Sequence, residues 1–450
     1  MPRSLNRRIL ALAIPNLLAA ISAPLIGIAD TAMVGHLPEV AFMGAVASAS
    51  VIFDVLFWSA GFLRMGTTSI VAQYFGAGDR RSCTAALYRA LLLAALFAVL
   101  LLAVRGPIAH FGFQVAGGSP EVMEWGRRYF EVRVLGVPLV LTVLVLNGFF
   151  LGTANAITPM CTTMAANVVN IVADYVLIYG KWGAPSLGVT GAAWASVLGN
   201  AVACTIGLAV LLTRYRPYLR ESVGSLLERA RIRHLFATNS HLFGRTLCLL
   251  AAQFGMLAMV SRLGEAPLAA HAVVWQVWAL VSYGVDGFAH AAETLVGNCL
   301  GGGDPAGARV VARRILAWGV AIGLGLGLTY GVGLASLARG FTEHVEVVAA
   351  VASLTTIIAV VQPMNAAVYV LDGVFIGAND VGYLFAAMAV ATFGAFVPAA
   401  AVLVYWAGWG LQGAWLAYNA LMAGRFITLV IRYRGDRWLR TFVQPGMRSG

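Results

Sequence analysis

The sequence predicts an all-α polytopic membrane protein of twelve transmembrane helices arranged as two pseudo-symmetric six-helix lobes. Composition is the first reason. A mean hydropathy of +0.82, with 60% hydrophobic and only 11% charged residues among 450, is more apolar surface than a soluble globule of this length can bury. Spacing is the second, because apolar stretches of about 20 residues, enough to cross about 30 Å of hydrocarbon, recur along the chain. The third is repetition. Asn147-Gly148-Phe149-Phe150-Leu151-Gly152 returns 225 residues later as Asp372-Gly373-Val374-Phe375-Ile376-Gly377, and Gly76-Ala77-Gly78-Asp79 returns at the same offset as Gly301-Gly302-Gly303-Asp304. Later landmarks drift, Gly188 and Gly191 answering to Gly410 and Gly413, as small gaps between duplicated halves produce. Six crossings per half is an even number, so both halves enter the membrane from the same side and the repeat is parallel.

In the first half, helix 1 is expected over 9–34. Its Pro15 and Pro24 each remove a backbone donor and can bend it, and Asp30 stands among its apolar residues. Helix 2, over 41–75, carries Asp54 and Arg64; helices 3 and 4 follow over 84–104 and 123–151. Helix 5, over 155–180, has the strongest periodicity, since Asn167, Asn170 and Asp174 at i, i+3 and i+7 share one face of an apolar segment. Such a stripe should look into the protein. There its groups could bind a proton, offer hard oxygen ligands to Na+, or simply hydrogen-bond between helices. Helix 6 spans 188–213 and closes an N-lobe of residues 1–213. A polar linker, 214–236, holds Arg214, Arg216, Arg220, Arg229, Arg231 and Arg233 and leads to a C-lobe, 237–450.

The second half is expected to cross over 237–262, 265–300, 308–336, 346–376, 380–406 and 411–433. Helix 8 carries Ser282, Asp286, His290 and Glu293 at helical spacing, and helix 10 carries Gln362, Asn365, Tyr369 and Asp372. An ionised carboxylate near the bilayer centre costs about 2.5–3.5 kcal/mol on insertion scales, so these acids face a cavity, pair, or take a proton. Pairing with Arg64 as a structural lock or gate suits Asp286 and Glu293.

Charge placement orients the chain, because Lys and Arg are retained on the cytoplasmic side. Arg3, Arg7, Arg8, Arg80, Arg81, Arg89, the linker arginines, Arg309, Arg313, Arg314 and those after Arg432 fall on one side. Arg105, Arg127, Arg128, Arg133, Lys181, Arg262 and Arg339 fall in loops on the other. Both termini are therefore expected in the cytoplasm, in a multi-pass inner-membrane protein. The net charge of +11 is scattered at helix ends, which topology and anionic lipid explain without a nucleic-acid partner. The first apolar stretch is too long for a signal peptide and lacks a small-residue cleavage pattern. The five cysteines show no paired spacing. No phosphate-loop, ATPase or metal-ligand pattern appears, since Gly301-Gly302-Gly303-Asp304 lacks the following Lys-Ser/Thr. No enzyme activity and no cofactor are expected.

The residues resemble the multidrug and toxic compound extrusion (MATE) transporters, in their DNA-damage-inducible, DinF-like subfamily, along essentially the whole chain. The resemblance rests on Leu12-Ala13-Ile14-Pro15-Asn16, Asp30-Thr31-Ala32-Met33-Val34-Gly35-His36-Leu37, Leu63-Arg64-Met65-Gly66-Thr67-Thr68, Asn170-Ile171-Val172-Ala173-Asp174, Asp286-Gly287-Phe288-Ala289 and Leu371-Asp372-Gly373-Val374-Phe375-Ile376-Gly377-Ala378. It implies the MATE fold and a secondary antiporter that exports cationic and amphipathic small molecules, by alternating access, against H+ or Na+ entry. Asp30, Asn170 and Asp174 match the N-lobe cation site, with Ser196 in Ala195-Ser196-Val197 the nearest match to a hydroxyl on helix 6 and Pro15 the point at which helix 1 bends. Asp372 matches an acid used in the C-lobe of NorM-type relatives, near Asn365 and Tyr369 on the cavity wall. Gln253 stands where those relatives place an acid on helix 7, which argues against a C-lobe Na+ site of their kind; H+ is favoured over Na+ as the coupling ion. A monomer in the lipid bilayer is expected. A lipid-linked saccharide flippase of the same superfamily is the alternative, disfavoured by carboxylate-bearing stripes.

Overall fold

The computed structural model describes residues 2–221, 226 and 228–440, and among them every regular element is helical. Twelve long segments carry the architecture: α1 (Pro2–Val34), then α2 (Ala41–Gly76), α3 (Arg80–Ala103), α4 (Pro120–Gly152), α5 (Ile157–Tyr179), α6 (Val189–Arg214), α7 (Arg229–Val260), α8 (Glu265–Gly301), α9 (Pro305–Phe341), α10 (Thr355–Gly377), α11 (Val381–Trp406) and α12 (Gly410–Arg434). The last 11 are long and apolar enough to cross a membrane. With 33 residues and a rise of about 1.5 Å per residue, α1 has the length of a twelfth.

Helix ends depart from the apolar limits wherever backbone capping, rather than hydropathy, decides them. α4 begins at Pro120 instead of 123 because Ser119 caps it, its Oγ accepting from Val122 N at 3.3 Å, and because proline suits the first helical turn. Arg127, Arg128 and Arg133, assigned to a loop by charge placement, lie within α4. α7 starts at Arg229 and runs through charged turns ahead of its apolar span, so part of the expected linker is helix. Shorter helices at Arg105–Ala116 and Val345–Ser353 occupy segments that hydropathy assigned to a connection and to the start of helix 10.

The chain divides into two compact units, one of residues 18–236 and one made of residues up to Leu17 together with those from Ala237 onward. α1 contributes to both. In the second unit, a Cβ on Gly287 of α8 would stand 2.5 Å from the Ala13 carbonyl oxygen, so the two helices meet backbone to backbone. Asn16 Nδ2 also donates to Leu12 O at 2.8 Å, closing the turn that contains Pro15. In the first unit, α5 ties to the later part of α1: Asn167 Nδ2 donates to Ser22 Oγ at 2.9 Å and Tyr179 OH to Met33 O at 2.6 Å. The side chain of Pro24 lies outside the described residues. The linker folds onto α3, where Thr84 Oγ1 donates to Tyr218 O at 2.9 Å, Arg89 Nε to Leu226 O at 2.8 Å and Arg231 Nη1 to Ser82 Oγ at 2.9 Å.

The repeated motifs are structural joints. Asp79 and Asp304 are equivalent N-caps, accepting from Ser82 N at 2.9 Å and Gly307 N at 2.7 Å. The preceding Gly78 and Gly303 take φ of 73° and 77°, which only glycine adopts freely. Gly148 and Gly373 are equivalent contact points: a Cβ on Gly148 would stand 2.6 Å from Arg64 O of α2, and one on Gly373 would collide with Ala289 O of α8. The halves diverge in the fifth helix of each. α5 is regular over 23 residues and ends at Gly180 in the left-handed conformation, whereas α11 extends over 26 and winds as a π-helix at Val390–Phe396 and Ala401–Trp406, on either side of Pro398. The segment after α5 is correspondingly longer than the one after α11, 180–188 against 407–409, which accounts for the drift in offset.

Candidate functional site

In the first unit, the polar face of α5 does turn inward. Asp30, Asn170, Asp174 and Ser196 are all buried, and Asp174 is 0% exposed. The Asn167 and Tyr179 ties hold the two helices on either side of this level, which sets the carboxyls of Asp30 and Asp174 against each other within hydrogen-bonding reach. Neither oxygen of Asp174 accepts a hydrogen bond from a donor among the described residues. Asn170 packs where α6 comes close, with Gly199 meeting its Cβ. Asn167, the first residue of the stripe, is a helix-to-helix tie.

Two residues that hydropathy did not single out complete the site. Tyr129 of α4 is fully buried; its hydroxyl accepts from Arg133 Nη1 at 2.9 Å and is hydrogen-bonded to Ser196 of α6. Arg133 also donates to Ser50 Oγ at 3.3 Å and lies over the Phe53 ring, 4.7 Å from its centroid. Its charge acts on Asp30, Asp54 and Asp174. The sequence signal is the i, i+4 spacing of Tyr129 and Arg133 within helix 4. One guanidinium whose charge acts on three carboxyls cannot offset them all, which leaves negative charge at the Asp30 and Asp174 pair to be balanced by a proton or a small monovalent cation. The available groups, two carboxyls, an amide and a hydroxyl, are all hard oxygen donors that suit either. Among the described residues no group of three or more His, Cys, Asp or Glu could hold another metal.

The second unit has different chemistry. Asp372 of α10 is buried and its Oδ2 accepts from both Arg245 of α7 and Arg425 of α12, themselves buried. Asp372 Oδ1 and Arg245 Nε have no hydrogen-bond partner among the described residues. Tyr369 accepts from Ser282 Oγ at 3.0 Å, and Asn365, fully buried, makes a long 3.4 Å bond to Gln362 Oε1. On α8, Asp286 is half-buried and Glu293 buried; Arg64 is half-buried in the first unit. Counting intramembrane charges would have exposed the cluster, since Arg245 and Arg425 lie in apolar helices with Asp372 available as a counter-ion.

The MatE family profile matches residues 15–176 and 243–402, one segment in each half. Over 431 residues the chain is 32% identical to DNA damage-inducible protein F of Escherichia coli strain K12, covering 94% of this chain and 91% of the relative. It is 29% identical to a probable multidrug resistance protein NorM of Bradyrhizobium diazoefficiens, covering 94% and 92%. In fold it resembles the crystal structure of a MATE protein in the bent conformation, with a TM-score of 0.86 at 20% identity, covering 96% of this chain and 94% of that one. The duplicated helices, the buried acids of α1 and α5 and these likenesses converge: the chain belongs to the MATE, or MatE, family, multidrug and toxic compound extrusion proteins of the membrane.

Proposed function

We propose that this protein is a secondary antiporter of the inner membrane, with both termini in the cytoplasm, which exports cationic and amphipathic compounds by alternating access in exchange for H+. The observation that carries this reading is the facing pair of Asp30 and Asp174, buried together within reach of the charge of Arg133. Bound H+ neutralises the remaining charge; its departure restores a carboxylate that must be solvated or paired. α1 carries one member of the pair and, at Pro15, a position without a backbone donor, so a change in charge at Asp30 biases the bend of α1. A ligand shifts such an equilibrium only by its differential affinity for the two states, which requires H+ and exported compound to favour different ones. The drug-resistance name of the NorM relative supports the substrate class.

Proteoliposomes holding an imposed pH gradient and ethidium provide the test. Asp30→Asn and Asp174→Asn are each expected to lower the initial rate of gradient-driven ethidium movement at least about tenfold, roughly 1.4 kcal/mol of lost coupling. Full transport by Asp30→Asn would refute the mechanism. Transport driven by a Na+ gradient at clamped pH would make Na+ the coupling ion at the same oxygens.

A further inference from the structure

We propose that the second unit contains an anion-recognition site in which Arg245 and Arg425 hold the carboxylate of an aromatic organic monocarboxylate beside Asp372. This is independent of the ion that drives transport, because it rests on residues outside the Asp30 and Asp174 pair.

Charge is the first argument. Two guanidinium groups share one carboxylate, and among the described residues neither arginine makes a second ion pair. The side chains are 9%, 7% and 3% exposed for Arg245, Asp372 and Arg425, so little solvent reaches the surplus positive charge. A cation placed here would meet two guanidiniums; a monoanion would make the cluster neutral.

Hydrogen bonding is the second. A closed structural lock would use both carboxylate oxygens in bidentate pairs. Here both arginines converge on Oδ2, while Oδ1 and Arg245 Nε have no partner among the described residues. The Arg425 head group also contacts the Met422 thioether through Nη1 at 3.4 Å, a weak acceptor. The cluster therefore leaves the Arg245 Nε donor without an acceptor among the described residues, which a second oxyanion would supply.

The surrounding rings suggest the body that carries that oxyanion. Tyr369 and Tyr418 both lie within electrostatic reach of Arg425. Tyr418 meets Trp275 and Trp278 edge-on, with centroids 5.7 and 5.6 Å apart, and Trp278 continues to Trp415 at 5.5 Å. Guanidinium beside an aromatic wall matches a carboxylate on an aromatic ring.

Equilibrium binding of radiolabelled benzoate to the full chain in phosphatidylcholine nanodiscs tests the assignment. Saturable binding is expected for the natural sequence. Asp372→Asn removes the internal competitor and should tighten it about tenfold. The triple variant R245M/D372L/R425M should lose saturable binding. Apolar replacement of a whole buried ion cluster is generally compatible with folding, and an unfolding midpoint near that of the natural protein would certify it. Absence of saturable binding to the natural protein would overturn the proposal, as would equal binding by the triple variant or loss of binding in a folded Asp372→Asn. Replacing a third of the lipid with phosphatidylglycerol separates the sources of the anion. Unchanged benzoate affinity supports a soluble carboxylate, and suppression would overturn that assignment in favour of a lipid phosphate.

Discussion

Neither carboxylate oxygen of Asp174 takes a hydrogen bond from a described donor, whereas Oδ2 of Asp372 takes two from guanidiniums. The two acids should answer oppositely to neutralisation. Asp174→Asn replaces a buried carboxyl that accepts from no described donor with a neutral amide, so it is expected to change stability by less than about 1 kcal/mol, or to raise it, while transport fails. Asp372→Asn strips two buried guanidiniums of the carboxylate they share and is expected to cost about 3–5 kcal/mol. Thermal unfolding of purified protein in one detergent would compare them directly. A marked loss of stability in Asp174→Asn would mean that this carboxyl is a structural partner rather than an exchangeable one. Arg133 shows how a single residue changes the charge count: read as a loop residue it is a topology signal, but on α4 it is the cation that Asp30, Asp54 and Asp174 share.

The helices α4 and α10 come close to α2 and α8 through Gly148 and Gly373, where an added methyl would strike a backbone carbonyl that no rotamer change can move. Gly148→Ala and Gly373→Ala are therefore expected to destabilise by about 1–3 kcal/mol through overpacking. Gly325→Ala on α9 should be neutral or stabilising by up to about 1 kcal/mol, because nothing lies within 4 Å of its added Cβ. Equal unfolding midpoints for all three would refute the close-contact reading. Most helix positions were legible in the sequence because hydropathy reports directly on what lipid accepts, and the inward face of α5 was legible because Asn167, Asn170 and Asp174 keep helical spacing. Where helices begin was less so. Capping by Ser119, the charged first turns of α7 and the π-winding of α11 are decisions of the backbone that apolar periodicity does not register. The arginine partners of Asp372 escaped for a different reason: they are brought to it from 127 and 53 residues away, and no local pattern encodes such a meeting.

For the whole molecule, duplication copied the joints and left the chemistry to diverge. Caps and close glycine contacts recur in both halves, while the acids of α1 and α5 have no counterpart of the same kind and the buried arginines belong to the second unit. The proposed topology, with both termini inside, puts the segment 180–188 outside and residue 221 inside. In a cysteine-free background, Ala184→Cys is accordingly expected to react with a membrane-impermeant maleimide in intact cells, and Glu221→Cys only after lysis. The reverse pattern would invert the topology. The Asp372 cluster also has a consequence for how the chain is made. Arg245 leaves the ribosome 127 residues before its carboxylate, which at about 5–20 residues per second is an interval of roughly 6–25 s. During that interval a helix carrying an unneutralised guanidinium resists release into lipid. The expected consequence is that α7 settles to its final membrane depth only once α10 has emerged, so that the second unit is completed late and as a group.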